Sequence, residues 1–502
     1  MNPLHITDGY KLGHRPQYPD GTNIVYTNLT ARQSRIQEID YIVFFGLQYF
    51  CLHYLLDFFN TNFFEKNEDE VIKIYNRRIN NYLGPNNIGE NHIRALHKLG
   101  YLPIRIKAVK EGTKIPIGLP CLTVVNTKPE FFWLTNYIET FLSAVIWKPC
   151  TTATLASRYR TVFNEYAKGT GADTNFIQFQ GHDFSARGMS GVEDMMLAGA
   201  GHLLSFTGTD SIPAIDFLEE YYGADSDKEL VGCSVPATEH SVMCMGAKYI
   251  EVDGKTVVDE YDSFKRLITE IYPTGVVSIV SDSFDYWGII NDILPRLKNE
   301  ILARDGKVVI RPDSGDPTLI VCGDPNAKTE WERKGSIQCL WELFGGTVNA
   351  GKAGKDWNER HAPEYKQLDP HIGLIYGDSI TLDRQFEILR QLTIKGFSST
   401  NMVFGIGSYT YQYVTRDTFG FALKATYGEV NGKGYNIFKA PKTDVGGLKK
   451  SHKGLLRLNA DMTLDQECTW EEEAGGIYET VFEDGKLVRT QTLAEIRAIL
   501  NG

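Results

Sequence analysis

The chain lacks the specific signatures of the common nucleotide-binding and hydrolytic enzymes. There is no G-x-x-x-x-G-K-[ST], no strand-borne G-x-G-x-x-G, no H-E-x-x-H and no G-x-S-x-G. This disfavours a P-loop kinase, a dehydrogenase, a zinc protease and an α/β-hydrolase. Eight cysteines (Cys51, Cys121, Cys150, Cys233, Cys244, Cys322, Cys339 and Cys468) are scattered without a C-x-x-C pair or metal-ligand spacing. They read as reduced thiols, and a cytoplasmic protein is expected. The first residues, MNPLHITDGYKLGH, hold histidine and lysine where a secretory signal needs an apolar core, so export by that route is not expected. The most apolar long segment, Tyr41 to Phe59, carries Gln48, His53 and Asp57; it reads as a buried amphipathic helix, not a membrane span. Positive charge is also in deficit. A formal net charge of −11 argues against nucleic acid as a partner, while leaving room for a local basic site for small phosphates.

A chain of 502 residues exceeds what one hydrophobic core usually supports, so two or three domains are expected, possibly interleaved. The stretch that organises the middle of the chain is Lys307-Val-Val-Ile-Arg-Pro-Asp-Ser-Gly-Asp-Pro317. Its β-branched run reads as a buried strand, and its prolines end that strand abruptly. At the tip stand Arg311, Asp313, Ser314 and Asp316, a set able to hold an anion and a Mg²⁺ ion together.

The same unit of short strand, polar loop and helix recurs from residue 177. Strands are read at 177–180, 203–206, 233–235, 276–280, 307–311, 372–376 and 402–404, with helices following at 289–302, 331–344 and 382–394 among others. Polar chemistry after nearly every strand favours an irregular parallel β/α barrel with its site at the strands' C-terminal ends; a doubly wound open sheet is the competing architecture. Before it, residues 41–100 and the segments 131–144 and 153–166 read as helical, and 103–126 as a hairpin broken at Gly112-Thr113. Residues 346–370 read as a surface insertion. After 410 the chain becomes β-rich, with turns at Asn431-Gly-Lys-Gly434 and Glu483-Asp-Gly485, a final helix, and a basic run of Arg416, Lys424, Lys433, Lys439, Lys442, Lys449, Lys450 and Lys453. The expected fold is therefore α/β: a barrel at 151–409, and an α+β domain whose mostly antiparallel sheet joins segments 1–150 and 410–502.

Carboxylates, arginines, loop glycines and one conspicuous histidine, His240, suit a reaction in which phosphates are gripped while little covalent chemistry is asked of side chains. Transfer at a sugar's anomeric carbon is one such reaction. Six ordered motifs then match a known family: His182-Asp-Phe-Ser-Ala-Arg-Gly188, Gly208-Thr-Asp210, Val235-Pro-Ala-Thr-Glu-His-Ser241, Ser281-Asp-Ser-Phe-Asp285, Ile310-Arg-Pro-Asp-Ser-Gly315 and Gly377-Asp378. With Thr7-Asp-Gly-Tyr-Lys11 and Thr415-Arg-Asp417, the chain resembles, over nearly its whole length, the nicotinamide phosphoribosyltransferases, in the form of a bacterial or phage-like type II member.

The resemblance implies condensation of nicotinamide with 5-phosphoribosyl-1-pyrophosphate to nicotinamide mononucleotide and pyrophosphate, by a homodimer with shared active sites. It implies that Phe184 and a second subunit's Tyr10 sandwich the pyridine ring, that Arg311 binds the carboxamide, and that Asp8 orients substrate. Asp210 would accept the amide NH₂ and repel a carboxylate, although an N-cap before Ile212 suits the position equally. His240 would be phosphorylated by ATP, with a structural histidine at a helix start as the alternative. Arg187 and Arg416 would clamp phosphates, helped by Arg32, Lys424, Lys439 and the Gly377, Asp378, Gly405 and Gly407 loops. Asp313 and Asp282 would lie around the ribose, with Asp313 a Mg²⁺ ligand. Ser185-Ala186 and the loop Gly405-Ile-Gly-Ser-Tyr409 depart from the glycine and tyrosine and the longer glycine run of animal members. Nicotinate phosphoribosyltransferase is the nearest alternative activity; a phosphometabolite-binding protein without catalysis and a barrel phosphatase are more distant ones.

Overall fold

The computed structural model of the protein describes residues 1–351, 363–443 and 450–502. The chain divides into two compact units, one formed by 1–154, 216–229 and 414–502, the other by 155–215 and 230–413. Lys449 and the middle of the 346–370 segment lie outside the described residues.

The second unit is a ring of parallel strands. Thr274–Val280, Asp305–Arg311, Ile372–Tyr376, Met402–Ile406, Gly181–Asp183 and Gly208–Thr209 pair side by side in that order. Two parallel bridges, Gly208 to Cys233 and Ala237 to Ser278, carry the ladder through 233–237 and back to the first strand, so that seven staves are met in chain order. Parallel strands buried on both faces are rich in Val, Ile and Leu, as Ile372–Tyr376 is along its whole length. Helix Leu382–Ile394 starts where Thr381 accepts from the Arg384 N–H and buries Ile388, Leu389 and Leu392. The C-terminal strand ends are level, because Val280 pairs with Arg311 and Asp183 with both Ile406 and Thr209.

Two of the expected strands are misplaced. Residues 177–180 are a helical turn and the strand is Gly181–Asp183: the carboxylate of Asp173 caps the Asn175 N–H and starts a helical run. Leu203 is the last residue of helix Val192–Leu203 and 204–206 are the buried turn that follows it, so the stave shrinks to Gly208–Thr209. A short apolar run cannot distinguish buried helix from buried strand by periodicity alone. The ends of the expected surface insertion are mostly exposed and form a two-stranded sheet of their own, Gly346–Ala350 antiparallel to Glu364–Leu368, tied down where Asn401 Oδ1 receives both the Leu368 N–H and the Gln367 amide at 2.8 Å.

The first unit holds a seven-stranded sheet in the order Lys433–Asn436, Phe421–Val430, Thr22–Ala31, Pro120–Asn126, Ile104–Ala108, Glu479–Glu483 and Lys486–Leu487. Every neighbouring pair is antiparallel, and three early strands at its centre are flanked on each side by two late ones. The hairpin expected at 103–126 is split: Ile104–Ala108 pairs with Pro120–Asn126, whereas Lys114–Pro116 pairs with Tyr41–Val43. That pairing removes Tyr41–Val43 from the helix expected there, which begins at Leu47 and continues with π-type turns. The helices read at 131–144 and 153–166 fall mostly within one, Glu139–Gly169, which contains Pro149. A proline removes one backbone bond without always ending a helix. Around it the Thr151, Thr152 and Thr154 hydroxyls donate to carbonyls four residues back.

Candidate active site

The polar groups of the barrel unit gather at the C-terminal strand tips. Alternation along a strand points His182 and Phe184 to one side and Asp183 to the other. Asp183 is fully buried and accepts from the Ser185 N–H at 2.9 Å. His182 and Phe184 face a cavity of about 350 Å³ also lined by Asp210, Ser234, Ser278 and Arg311. The cavity continues through the ring to Phe176 and Lys307 at the opposite strand ends.

Phe184 lies over Gly377 and Gly405. A Cβ on Gly405 would come within 2.5 Å of the Phe184 ring and 2.7 Å of the Gly377 Cα, and one on Gly377 within 2.7 Å of Asp313 Oδ1. Only glycine admits this approach of ring and backbone.

Asp210 is not a helix cap. Its Oδ1 meets His182 Nε2 at 2.8 Å and accepts from Ser234 Oγ at 2.8 Å, and among the described residues Oδ2 has no hydrogen-bond partner. Burial pushes the Asp210 carboxyl up, but the hydrogen bond and charge of His182, then Ser234 and Arg311, outweigh it and hold the group below the usual aspartate range.

Arg311 is pinned by donation from Nη2 to the Thr238 carbonyl at 2.6 Å, and its Nε lies 3.5 Å from Asp313 Oδ2. The Asp313 N–H donates to Asp282 Oδ2 at 3.0 Å. Asp282 Oδ1 is buried without a hydrogen-bond partner and lies 3.9 Å from His240 Nε2. Burial, together with Asp282 and Asp378, raises the Asp313 carboxyl against the opposing pull of Arg311 and His240. His240 opens helix His240–Gly246, is about half exposed, and has Nδ1 3.0 Å from Ser283 Oγ. Behind this cluster Glu260 is buried with Oε1 unpartnered; burial and the charges of Asp285, Asp282 and Asp259 push it up to about 7. Arg187 and Asp378 are exposed, and Gly407 precedes helix Ser408–Tyr411.

The remaining predicted residues belong to the other unit. Lys424 Nζ lies 3.8 Å from Glu139 and Lys11 Nζ 2.6 Å from it. Burial lowers Lys424, Glu139 opposes this, and Arg32, Lys439 and Lys11 lower it further, which brings these four cations into one field. Asp8 accepts from Thr140 Oγ1 at 2.6 Å; both line a 260 Å³ hollow with Glu139 and Arg416. Tyr10 is 63% exposed.

His182, Ser234, Thr238 and Ser283 were missed as contacts, although His182, Thr238 and Ser283 stand inside the motifs and Ser234 adjoins one. Their partners lie 24 to 73 residues away, which no local pattern reports.

Residues 179–486 match the nicotinate phosphoribosyltransferase (NAPRTase) family and residues 2–106 the nicotinamide phosphoribosyltransferase N-terminal domain. The chain is 50% identical over 512 residues to the nicotinamide phosphoribosyltransferase of Acinetobacter baylyi, covering 99% of this chain and 96% of that protein. It is 34% identical to that of Mycoplasma pneumoniae, covering 88% and 93%. Among solved structures, nicotinate-nucleotide pyrophosphorylase from Pyrococcus furiosus (TM-score 0.56, 13% identity, 99% and 95% covered) and human nicotinic acid phosphoribosyltransferase (0.53, 14%, 99% and 93%) share the fold. With one family model spanning more than half of it and whole-length relatives at this identity, the chain belongs to the nicotinate phosphoribosyltransferase family, in the branch that carries the nicotinamide phosphoribosyltransferase N-terminal domain.

Proposed function

We propose that the protein is a nicotinamide phosphoribosyltransferase, joining nicotinamide to 5-phosphoribosyl-1-pyrophosphate to give nicotinamide mononucleotide and pyrophosphate. The observation that carries this reading is Asp210, ionised and offering its unpartnered Oδ2 to the cavity beside Phe184. A carboxylate there accepts hydrogen bonds from a carboxamide NH₂ and repels a carboxylate, which sets nicotinamide above nicotinate.

Phe184 stacks on the pyridine ring, and Arg311 meets the carboxamide. The ring nitrogen's lone pair attacks the anomeric carbon as the bond from that carbon to pyrophosphate breaks, so no proton need be removed. Asp313 and Asp282 place negative charge where the ribose becomes oxocarbenium-like. Arg187 and the Gly377, Asp378, Gly405 and Gly407 loops meet phosphate groups, as do Arg32, Lys424, Lys439 and Arg416.

The donor set fits Mg²⁺. Asp282 Oδ1 is a buried oxygen without a partner and Asp313 sits in a field of carboxylates. Among the described residues no three His, Cys, Asp or Glu side chains form a cage, which matches an ion bound by one or two carboxylates plus substrate phosphates. When bound, Mg²⁺ neutralises the leaving pyrophosphate. We further propose that His240, oriented through Nδ1 by Ser283, takes the γ-phosphoryl of ATP on Nε2 and releases ADP. The protein acts as a cytoplasmic homodimer in which the partner's Tyr10 and the partner's Asp8 complete the base site, a use for an exposed tyrosine; light scattering reads the dimer directly.

Product formation with Mg²⁺ and phosphoribosyl pyrophosphate, offering either base with and without ATP, tests the reading. Nicotinamide mononucleotide is the expected main product, with selectivity weakened in Asp210→Asn. Preference for nicotinate would overturn it in favour of the sister activity.

A further inference from the structure

Two adjacent staves carry matched pairs of residues. His182 is the register partner of Gly208, and two residues beyond each stand Phe184 and Asp210. The His182 ring is confined on this face: a Cβ on Gly208 would lie 2.8 Å from its Nδ1, and its centroid is 4.7 Å from that of Phe184. The His182 side chain is 11% exposed, whereas that of Asp210 is 48% exposed, so the histidine is the inner member of the pair. His182 Nε2 and Ser234 Oγ converge on Oδ1 of Asp210, each at 2.8 Å.

A carboxylate free to rotate presents either oxygen; one with two donors on Oδ1 presents only Oδ2. We propose that His182 is the positioning residue for base selectivity: by donating from Nε2 to Asp210 Oδ1 it fixes Oδ2 toward the substrate carboxamide and keeps the carboxylate an acceptor only. This rests on the reading of Asp210 as the group that meets the carboxamide. Without the donor, a half-buried carboxyl is freer to turn and to take up a proton, and a protonated Asp210 can donate to a carboxylate, which favours nicotinate. Consistent with this, the hydrogen bond and charge of His182 are the leading influences that offset the effect of burial on Asp210.

The test compares the whole enzyme with His182→Leu, His182→Asn and His182→Gln, each alone and with Asp210→Asn, using both bases. Leu removes the donor, Asn keeps an amide too short to reach, and Gln restores an N–H near Nε2. Loss of a charge-assisted hydrogen bond corresponds to about tenfold to hundredfold in affinity. His182→Leu and His182→Asn are therefore expected to raise KM for nicotinamide by that factor with kcat changed less than about threefold. The ratio of kcat/KM for nicotinamide over nicotinate should fall in parallel, and His182→Gln should recover most of it. On the Asp210→Asn background His182→Leu should change the ratio by less than about twofold, because coupled residues are not additive. An unchanged ratio, an equal loss of kcat with both bases, or full additivity with Asp210→Asn would each overturn the proposal. Calorimetric titration of nicotinamide tells two failures apart. Binding without turnover, weakened in His182→Leu, would strike the reaction and keep the role of His182; no binding by the wild type would overturn both.

Discussion

The barrel tips and the basic patch of the sheet unit both gather charge, but they do so by opposite means. At the tips three groups are held by partners: Asp210 by His182 and Ser234, Arg311 by the Thr238 carbonyl, and the Asp313 main chain by Asp282. In the patch, Lys424 is among like charges with a carboxylate 3.8 Å away, and among the described residues Arg416 is paired only with its exposed neighbour Asp417. The difference separates two tasks. Reading one functional group from another needs fixed directions, whereas neutralising phosphate needs only charge within reach.

The largest departure from wild type is expected at the fixed end. Arg311→Ala should lower kcat/KM for nicotinamide by about 10²- to 10⁴-fold, since it strands Asp313 among carboxylates while removing a substrate contact; steady-state kinetics with both substrates reads this. Gly405→Ala comes next. Its Cβ meets both the Phe184 ring and the Gly377 backbone, so either the aromatic platform shifts or the strand does. Nicotinamide KM should rise at least tenfold, with a lower thermal midpoint by calorimetry. Lys424→Ala should be milder, raising KM for phosphoribosyl pyrophosphate by about fivefold. That penalty should shrink as salt is raised, whereas the Arg311→Ala penalty should not. Equal salt dependence of the two would erase the distinction drawn above.

The smallest effect concerns Glu260. Its folded value of about 7 lies above the ordinary 4.5, so the folded state binds this proton more tightly than the unfolded one. Stability from this group is then fully present below pH 4.5 and is lost as pH rises through about 7. Glu260→Gln cannot ionise. It should match the wild type near pH 4.5 and melt a few degrees higher at pH 8 in scanning calorimetry; a lower midpoint at pH 8 would contradict the assignment.

The sequence made the barrel legible because each stave is local: an apolar run, a breaker and a polar loop within about a dozen residues. Helix Leu382–Ile394 was legible to the residue, since Thr381 caps it and the apolar spacing runs unbroken to Ile394. Pairings across long separations were not. Nothing near Tyr41 announces Lys114–Pro116 as its strand partner, and nothing at Leu203 says that the helix has not yet ended. The same limit governs the site. The motifs at 182–188, 208–210, 235–241, 281–285, 310–315 and 377–378 fall at consecutive staves, and residue types alone pointed to anion and metal chemistry. That Asp210 faces His182 and not its own helix depends on the register of two strands and was visible only in three dimensions.

The stave at 233–237 joins the ring through one bridge on each side, while Thr274–Val280 and Asp305–Arg311 pair over seven residues. The barrel is thus a hoop with a lightly stitched seam. Ser234, which steadies Asp210, lies within that seam, and His240 follows it by three residues. The half of the hoop that bears Arg311 and Asp313 is tightly laced. A substitution that loosens the seam, held by two backbone hydrogen bonds on each side, should therefore reach Ser234 and His240 together before it reaches Asp313.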